Sequence, residues 1–138
     1  MIERFMHRAL LLLAVAAAST AAARSVWDGV YTKEQATRGK TAYQQECLKC
    51  HGENLGGGEA GPTLAGQDFL LKWNGKTAGD LFGVIRKTMP SDDPGGLSIR
   101  QYTDLLAYIL NVNDFPAGQK ELDRDPASLN EIRIETKR

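Results

Sequence analysis

Residues 47–51 read Cys47-Leu48-Lys49-Cys50-His51, which places two cysteines and a histidine within five positions. Side chains three or four residues apart share a helix face, so all three functional groups converge on one side of a single helical turn. C-x-x-C-H is the attachment signature of a c-type haem, in which two thiols form thioethers with the haem vinyl groups and the histidine binds the iron. The motif therefore predicts one covalently bound haem c on Cys47, Cys50 and His51.

The first 23 residues have the features of a secretory signal peptide. Arg4 and Arg8 give the segment a positively charged start and precede an apolar run over residues 9–18. The alanines at 21–23 form a small-residue cleavage site. The alternative is an uncleaved membrane anchor, but the apolar run is too short to span a bilayer. We therefore expect a periplasmic protein with no membrane span after cleavage of the signal peptide.

Three other chemistries use cysteines at this spacing. A zinc site usually takes four protein ligands, whereas residues 47–51 supply three, and a carboxylate would have to complete the set. A thiol–disulfide oxidoreductase carries C-x-x-C in a βαβ unit, and no such pattern surrounds the motif. A structural disulfide is the last alternative, because an exported chain meets oxidising conditions.

Removal of the signal peptide leaves few side chains that can bind iron. A chain beginning at Arg24 has 138 − 23 = 115 residues, in which His51 is the only histidine and Met89 the only methionine. Met89 precedes Pro90 in a polar segment, which is not the apolar setting of a methionine that fills a core. We predict Met89 as the second axial ligand, which would favour ferrous iron and raise the potential. If Met89 only fills the core, the iron keeps an open position.

The composition excludes several classes of protein. Lys plus Arg and Asp plus Glu are 17 each, so the formal net charge is zero. Nucleic-acid-binding domains normally carry a basic excess, so no nucleic-acid partner is expected. The chain has no apolar run of about eighteen residues, which a transmembrane helix would need. Its hydrophobic content of 42% is ordinary for a globular protein, and its length fits one small domain.

Capping residues and apolar periodicity predict three helices separated by loops. Thr32 with Gln35, and Ser98 with Gln101, fit capping boxes at helix starts. The segment 52–66 contains six glycines and is predicted to be a loop. The predicted helices span approximately residues 32–47, 77–89 and 99–111.

These features resemble the class I cytochrome c family, in its small bacterial periplasmic form, over nearly all of residues 30–112. Besides the C-x-x-C-H motif, Gly39 and Tyr43 are similar to the glycine and the aromatic residue of the family's first helix. The last-helix residues that cross it are matched by Leu105, Leu106 and Tyr108. The resemblance implies an all-α protein with the cytochrome c fold, in which three to five helices surround one covalently attached haem.

The resemblance also assigns roles to two further residues. Gly61-Pro62-Thr63-Leu64 is similar to the segment whose proline carbonyl accepts a hydrogen bond from the proximal histidine, which implies that Pro62 orients His51. Trp73 is similar to an indole that contacts a haem propionate, and a plain core tryptophan is the alternative. The side chains expected to pack on the haem are Tyr43, Leu64, Phe69, Leu81, Ile85 and Leu105.

The two ends of the chain are additions to the simplest members of that family. We divide the chain into a signal peptide (1–23), an N-terminal extension (24–31), a cytochrome c domain (32–112) and a C-terminal surface tail (113–138). The ends look similar to those of cytochromes that accompany periplasmic dehydrogenases, including quinoprotein alcohol dehydrogenases.

The expected function is that of an electron carrier and not of an enzyme. Single electrons would pass from a periplasmic dehydrogenase, of quinoprotein type, to a terminal oxidase or another cytochrome of the respiratory chain. The alternative is a haem protein with an open sixth position, which would act as a small-ligand sensor or a peroxidase-type enzyme.

Overall fold

The computed structural model describes residues 23–136. The predicted signal peptide lies outside the described residues, except for Ala23. The elements in chain order are strand β1 (Arg24–Ser25), a 3-10 turn (Val26–Asp28), helices α1 (Lys33–Glu46), α2 (Leu48–His51), α3 (Gln67–Trp73), α4 (Ala78–Thr88), α5 (Ile99–Val112) and α6 (Pro126–Asn130), and strand β2 (Ile132–Arg133).

The all-α class is confirmed, and the three helices predicted from the sequence are the three longest ones, α1, α4 and α5. The described residues hold six α-helices in all. The three that were not among the predicted helices, α2, α3 and α6, are short segments of four, seven and five residues. Among residues 23–136, none of the helices combines the length and the apolar character that a membrane span requires.

The start of α1 differs in one detail from the predicted capping box. Thr32 does cap the helix, since its hydroxyl oxygen accepts the Gln35 backbone N–H at 3.1 Å. The Gln35 side chain, however, bonds to the backbone of Leu122, accepting its N–H at 2.8 Å and donating to its carbonyl at 3.4 Å. The buried glutamine thereby attaches the C-terminal tail to the first helix. The starts of α4 and α5 are complete capping boxes, formed by Thr77 with Asp80 and by Ser98 with Gln101.

Helices α1 and α5 form the main helix–helix interface. Their backbones approach closely at Gly39, where an added Cβ would collide with the carbonyl oxygen of Asp104 and the Cβ of Tyr108. Beside this point, the rings of Tyr43 and Tyr108 pack with their centroids 5.5 Å apart. Arg38 closes the edge of the interface through two 3.0 Å bonds to the Asp104 carboxylate. The residues matched by the family resemblance thus lie together where the two helices cross.

The two ends of the described chain pack against each other, and the C-terminal end also packs against α4. Strand β1 pairs in parallel with β2, and the Trp27 indole N–H donates to the Glu135 carbonyl at 2.9 Å. Helix α6 packs against α4 and begins at Pro126, with Asp125 as its N-cap. The tail contributes five buried apolar side chains to the core: Phe115, Leu122, Leu129, Ile132 and Ile134.

Candidate functional site

The helices and the loop before α3 enclose a cavity of about 580 Å³ with a mainly apolar lining. All six site residues predicted from the sequence line this one cavity: Cys47, Cys50, His51, Pro62, Trp73 and Met89. It is also lined by the six side chains that were expected to pack on a haem: Tyr43, Leu64, Phe69, Leu81, Ile85 and Leu105. The fold therefore brings together residues that are as much as 62 positions apart, from Tyr43 to Leu105.

The two cysteines and the histidine are carried by a short turn that is set off from α1. Cys47 ends α1 and begins α2, with a backbone conformation between the two helices (φ −123°, ψ −30°). Its carbonyl oxygen accepts the N–H groups of both Cys50 and His51, at 3.1 and 3.0 Å. One carbonyl therefore closes the turn that presents all three side chains to the cavity, and the two cysteines are not joined by a disulfide.

The surroundings of Cys47 disfavour the thiolate form of its side chain. Burial is the largest cause, and the Glu46 carboxylate and Cys50 add to it, so that the pKa of Cys47 is raised to about 11. Thiol–disulfide oxidoreductases have the opposite feature, a cysteine whose pKa is lowered to give a reactive thiolate. Within residues 23–136, no three His, Cys, Asp or Glu side chains are grouped closely enough to hold a metal ion. The raised pKa of the Cys47 thiol therefore does not favour the thiol-exchange alternative.

The His51 ring is buried and held in one orientation. The residue is 5% exposed, and Nδ1 lies 2.8 Å from the carbonyl oxygen of Pro62. Because a carbonyl only accepts hydrogen bonds, Nδ1 carries a proton in this contact, and in the neutral ring the lone pair is then on Nε2. In this tautomer, Nε2 is the ring atom that is available to a metal. The hydrogen bond that the family resemblance implies between His51 and Pro62 is present.

The glycine-rich loop over residues 52–66 brings Pro62 to the histidine through its own backbone. Gly57 donates its N–H to the His51 carbonyl at 2.8 Å, with a backbone φ of +74°. A Cβ on Gly57 would lie 2.5 Å from the backbone nitrogen of Thr63. Both the positive φ and the missing space require glycine at this position.

Asn113, at the end of α5, ties the same loop to the helix core, a role that was not predicted from the sequence. Its amide nitrogen donates to the carbonyls of Leu64 and Ile109, at 3.0 and 2.8 Å. Its amide oxygen accepts the N–H of Gly66 at 3.0 Å. An asparagine directly after a helix often bonds to nearby backbone, which was the one available signal, but the two loop partners are too distant in sequence to predict.

Met89 reaches the cavity from another helix. It is the C-cap of α4, and its N–H donates to the Ile85 carbonyl at 2.8 Å. Its own carbonyl accepts the hydroxyl of Tyr102 at 2.7 Å, and that hydroxyl accepts the N–H of Leu97 at 3.4 Å. Tyr102 lies within the helix predicted over 99–111, and its contact with the candidate ligand residue was not predicted.

Trp73 lies at the end of α3, a helix that was not predicted. Its side chain packs on Phe69 with ring centroids 6.2 Å apart, and it also lines the cavity, so it is both a core residue and a wall residue. The ammonium groups of Lys72 and Lys76 lie 5.9 and 6.0 Å from its ring centroid. These positive charges make the vicinity of Trp73 favourable for a carboxylate on a bound group.

The side chains around the cavity fit a haem. Cys47 and Cys50 would bind it covalently as thioethers, while the imidazole of His51 and the thioether of Met89 would bind its iron. The mainly apolar lining suits the body of the macrocycle.

Comparisons with known proteins point in the same direction. The family model described as cytochrome c oxidase, cbb3-type, subunit III matches residues 34–109, more than half of the chain. A chain in the crystal structure of the sulfane dehydrogenase SoxCD from Paracoccus pantotrophus has a similar fold, with a TM-score of 0.52 and 17% sequence identity. The similarity covers 78% of this chain and 61% of that chain. None of the curated proteins that were compared matches the sequence.

Proposed function

Since this chain belongs to the family described as cytochrome c oxidase, cbb3-type, subunit III, and is thus a small c-type cytochrome with covalently bound haem c, we propose that it is a periplasmic electron carrier with His51 and Met89 as axial ligands. The observation that carries the proposal is that both residues line the same apolar cavity as Cys47 and Cys50. The periplasmic location rests on the predicted signal peptide.

When bound, the haem supplies the one-electron oxidation and reduction of its iron. The residues of the chain hold and shield this group. Pro62 fixes the His51 ring through the 2.8 Å bond to Nδ1 and so keeps Nε2 available. The apolar lining excludes water, and a thioether ligand from Met89 favours the ferrous state, so both raise the potential. A histidine held in this way needs little rearrangement during electron transfer.

The choice of partners is the finer part of the proposal. We propose a periplasmic dehydrogenase of quinoprotein type as electron donor, and a terminal oxidase or another cytochrome of the respiratory chain as acceptor. Support comes from the resemblance of the two chain ends to those of dehydrogenase-associated cytochromes. In the structure these ends form one packed unit through Trp27 and Glu135. The SoxCD chain, at 17% identity, bears on the fold alone.

Visible spectroscopy of the protein, exported in a host with haem-maturation machinery, tests the ligand proposal. We expect sharp reduced bands of low-spin c-type haem, the weak long-wavelength ferric band of iron–methionine ligation, and resistance to carbon monoxide. Met89→Ala should keep the haem, bind carbon monoxide and lower the potential by an appreciable part of the ~0.8 V range that axial ligands span.

Ile85→Ala is the matched control for that variant, because Ile85 lines the cavity one turn earlier on α4 and offers no ligand atom. It should shift the potential much less than Met89→Ala does and should not open the iron to carbon monoxide. Wild-type protein that is high-spin or binds carbon monoxide readily would contradict the carrier and favour the sensor or peroxidase alternative.

Stopped-flow reduction of the purified cytochrome by a quinoprotein dehydrogenase and its substrate tests the proposed donor. Rapid reduction that depends on the dehydrogenase substrate is expected. If a chemical reductant reduces the cytochrome at once but the dehydrogenase does not, the proposed donor is wrong and the electron-carrier function stands.

A further inference from the structure

We infer that Tyr102 is a positioning residue for Met89: its buried hydroxyl fixes the backbone from Met89 to Leu97 and so keeps the thioether at the cavity. The inference rests on the proposed ligation of iron by Met89. Tyr102 does not line the cavity, and it would act only through the segment that it holds.

The hydroxyl of Tyr102 makes two bonds at the two ends of one segment. It donates to the Met89 carbonyl at 2.7 Å, directly after α4, and accepts the Leu97 N–H at 3.4 Å, directly before the N-cap of α5. Tyr102 itself is 1% exposed within α5. A single buried oxygen therefore attaches both ends of the connection between α4 and α5 to the helix core.

Apart from Pro90, which is buried, and Leu97, which packs partly buried against the core, the segment has few other attachments to the core. Residues 91–96 are all exposed, so no side chain there is buried to hold the connection in place. Their backbone bonds are short-range turns, such as Asp93 N–H to the Pro90 carbonyl at 3.0 Å. The Met89 carbonyl has a second donor, the N–H of Gly95, but at 3.5 Å this contact is much longer. The Met89 N–H is held by Ile85 of α4 at 2.8 Å, and the Tyr102 bond is the short link from the Met89 carbonyl to α5.

Tyr31 offers a matched comparison in the same protein. It is fully buried, donates its hydroxyl to the Phe115 carbonyl at 2.5 Å and accepts the side-chain N–H of Asn111 at 3.2 Å. Each hydroxyl donates one bond to a backbone carbonyl and accepts one from an N–H group, which belongs to the backbone at Tyr102 and to a side chain at Tyr31. Neither Tyr31 nor its two partners line the cavity. Removing either hydroxyl should therefore destabilise the fold similarly, whereas only the Tyr102 hydroxyl bears on Met89.

The experiment compares holoprotein of wild type, Tyr102→Phe and Tyr31→Phe. The readouts are the carbon monoxide affinity of the ferrous form and the intensity of the long-wavelength ferric band. We expect Tyr102→Phe to raise the carbon monoxide affinity roughly tenfold, the change produced by loss of one buried hydrogen bond, and to weaken the ferric band. Tyr31→Phe should change neither readout, although both variants should unfold at lower denaturant concentration than wild type.

The outcomes separate the inference from the proposed function beneath it. If wild type resists carbon monoxide and Tyr102→Phe behaves like Tyr31→Phe, the positioning role is wrong and ligation by Met89 stands. If wild type itself binds carbon monoxide readily, ligation by Met89 fails and the inference fails with it. Should Tyr102→Phe not mature, 3-fluorotyrosine at position 102 keeps the ring and makes the hydroxyl a stronger donor. That protein should bind carbon monoxide more weakly than wild type, and an unchanged affinity would overturn the inference.

Discussion

The histidine and methionine sides of the cavity are held by different means. On the histidine side, the functional ring itself is fixed, because Nδ1 of His51 bonds to the Pro62 carbonyl and the residue is almost fully buried. The loop that supplies Pro62 is also hydrogen-bonded to the helical turn that carries His51, because the Gly57 N–H donates to the His51 carbonyl. The side chain and its support are parts of one local hydrogen-bonded unit.

On the methionine side, the described hydrogen bonds reach only the backbone of Met89. Its N–H donates to Ile85, and its carbonyl accepts from Tyr102 and, at 3.5 Å, from Gly95. The chain then runs into the exposed residues 91–96. A side chain fixed only through its backbone retains its own rotamer freedom. The two candidate ligands are therefore held unequally, and substitutions on the two sides of the cavity should have different effects.

The largest expected effect comes from breaking the histidine side at its covalent anchor. Cys50→Ala should leave almost no holoprotein, because one thioether is lost and an apolar cavity of about 580 Å³ then lacks the group that fills it. Met89→Ala, made in parallel, should accumulate holoprotein near the wild-type yield. Haem staining of denaturing gels, with immunoblots for total protein, measures both. Wild-type holoprotein yield from Cys50→Ala would show that the anchor is dispensable.

A smaller effect is expected from disturbing the loop that supports the histidine. Gly57→Ala forces a side chain into a positive φ and within 2.5 Å of the Thr63 nitrogen. We expect the free energy of unfolding of the holoprotein to fall by about 1–3 kcal/mol. Gly58→Ala is the control in the same loop, since an added Cβ there meets no atom within 4 Å. It should change stability by less than about 0.5 kcal/mol, and equal losses in both variants on guanidinium unfolding would refute the assigned role of Gly57.

Much of this arrangement was predictable from the sequence, since it depends on local chemistry. Cys47, Cys50 and His51 share a turn because of their spacing, and the ends of α4 follow from Thr77 and from the Met89-Pro90 pair. Helix α3 was missed because it begins after Gly66, without a side-chain cap, and spans only seven residues.

Other features depend on partners far away in the sequence. The tail residues Leu122 and Leu129 follow no helical or strand period, and they are buried by contact with elements that precede them by dozens of residues. The hydroxyl of Tyr102 donates to the Met89 carbonyl across the connection between α4 and α5. A periodic apolar stripe predicts that Tyr102 is buried, but it does not identify the partner of its hydroxyl.

The smallest expected effect is on the methionine side and has the opposite sign to that of Gly57→Ala. Gly83 lies inside α4, the helix that ends at Met89, and an added Cβ there meets no atom within 4 Å. Alanine loses less conformational entropy than glycine when a helix forms, so Gly83→Ala should stabilise the holoprotein by about 0.5–1 kcal/mol. Guanidinium unfolding and the carbon monoxide affinity are measured together. If the limited support of Met89 lies in the exposed segment after the helix, stiffening α4 should raise stability and leave the carbon monoxide affinity unchanged. A fall in that affinity would instead place the weak point within α4 itself.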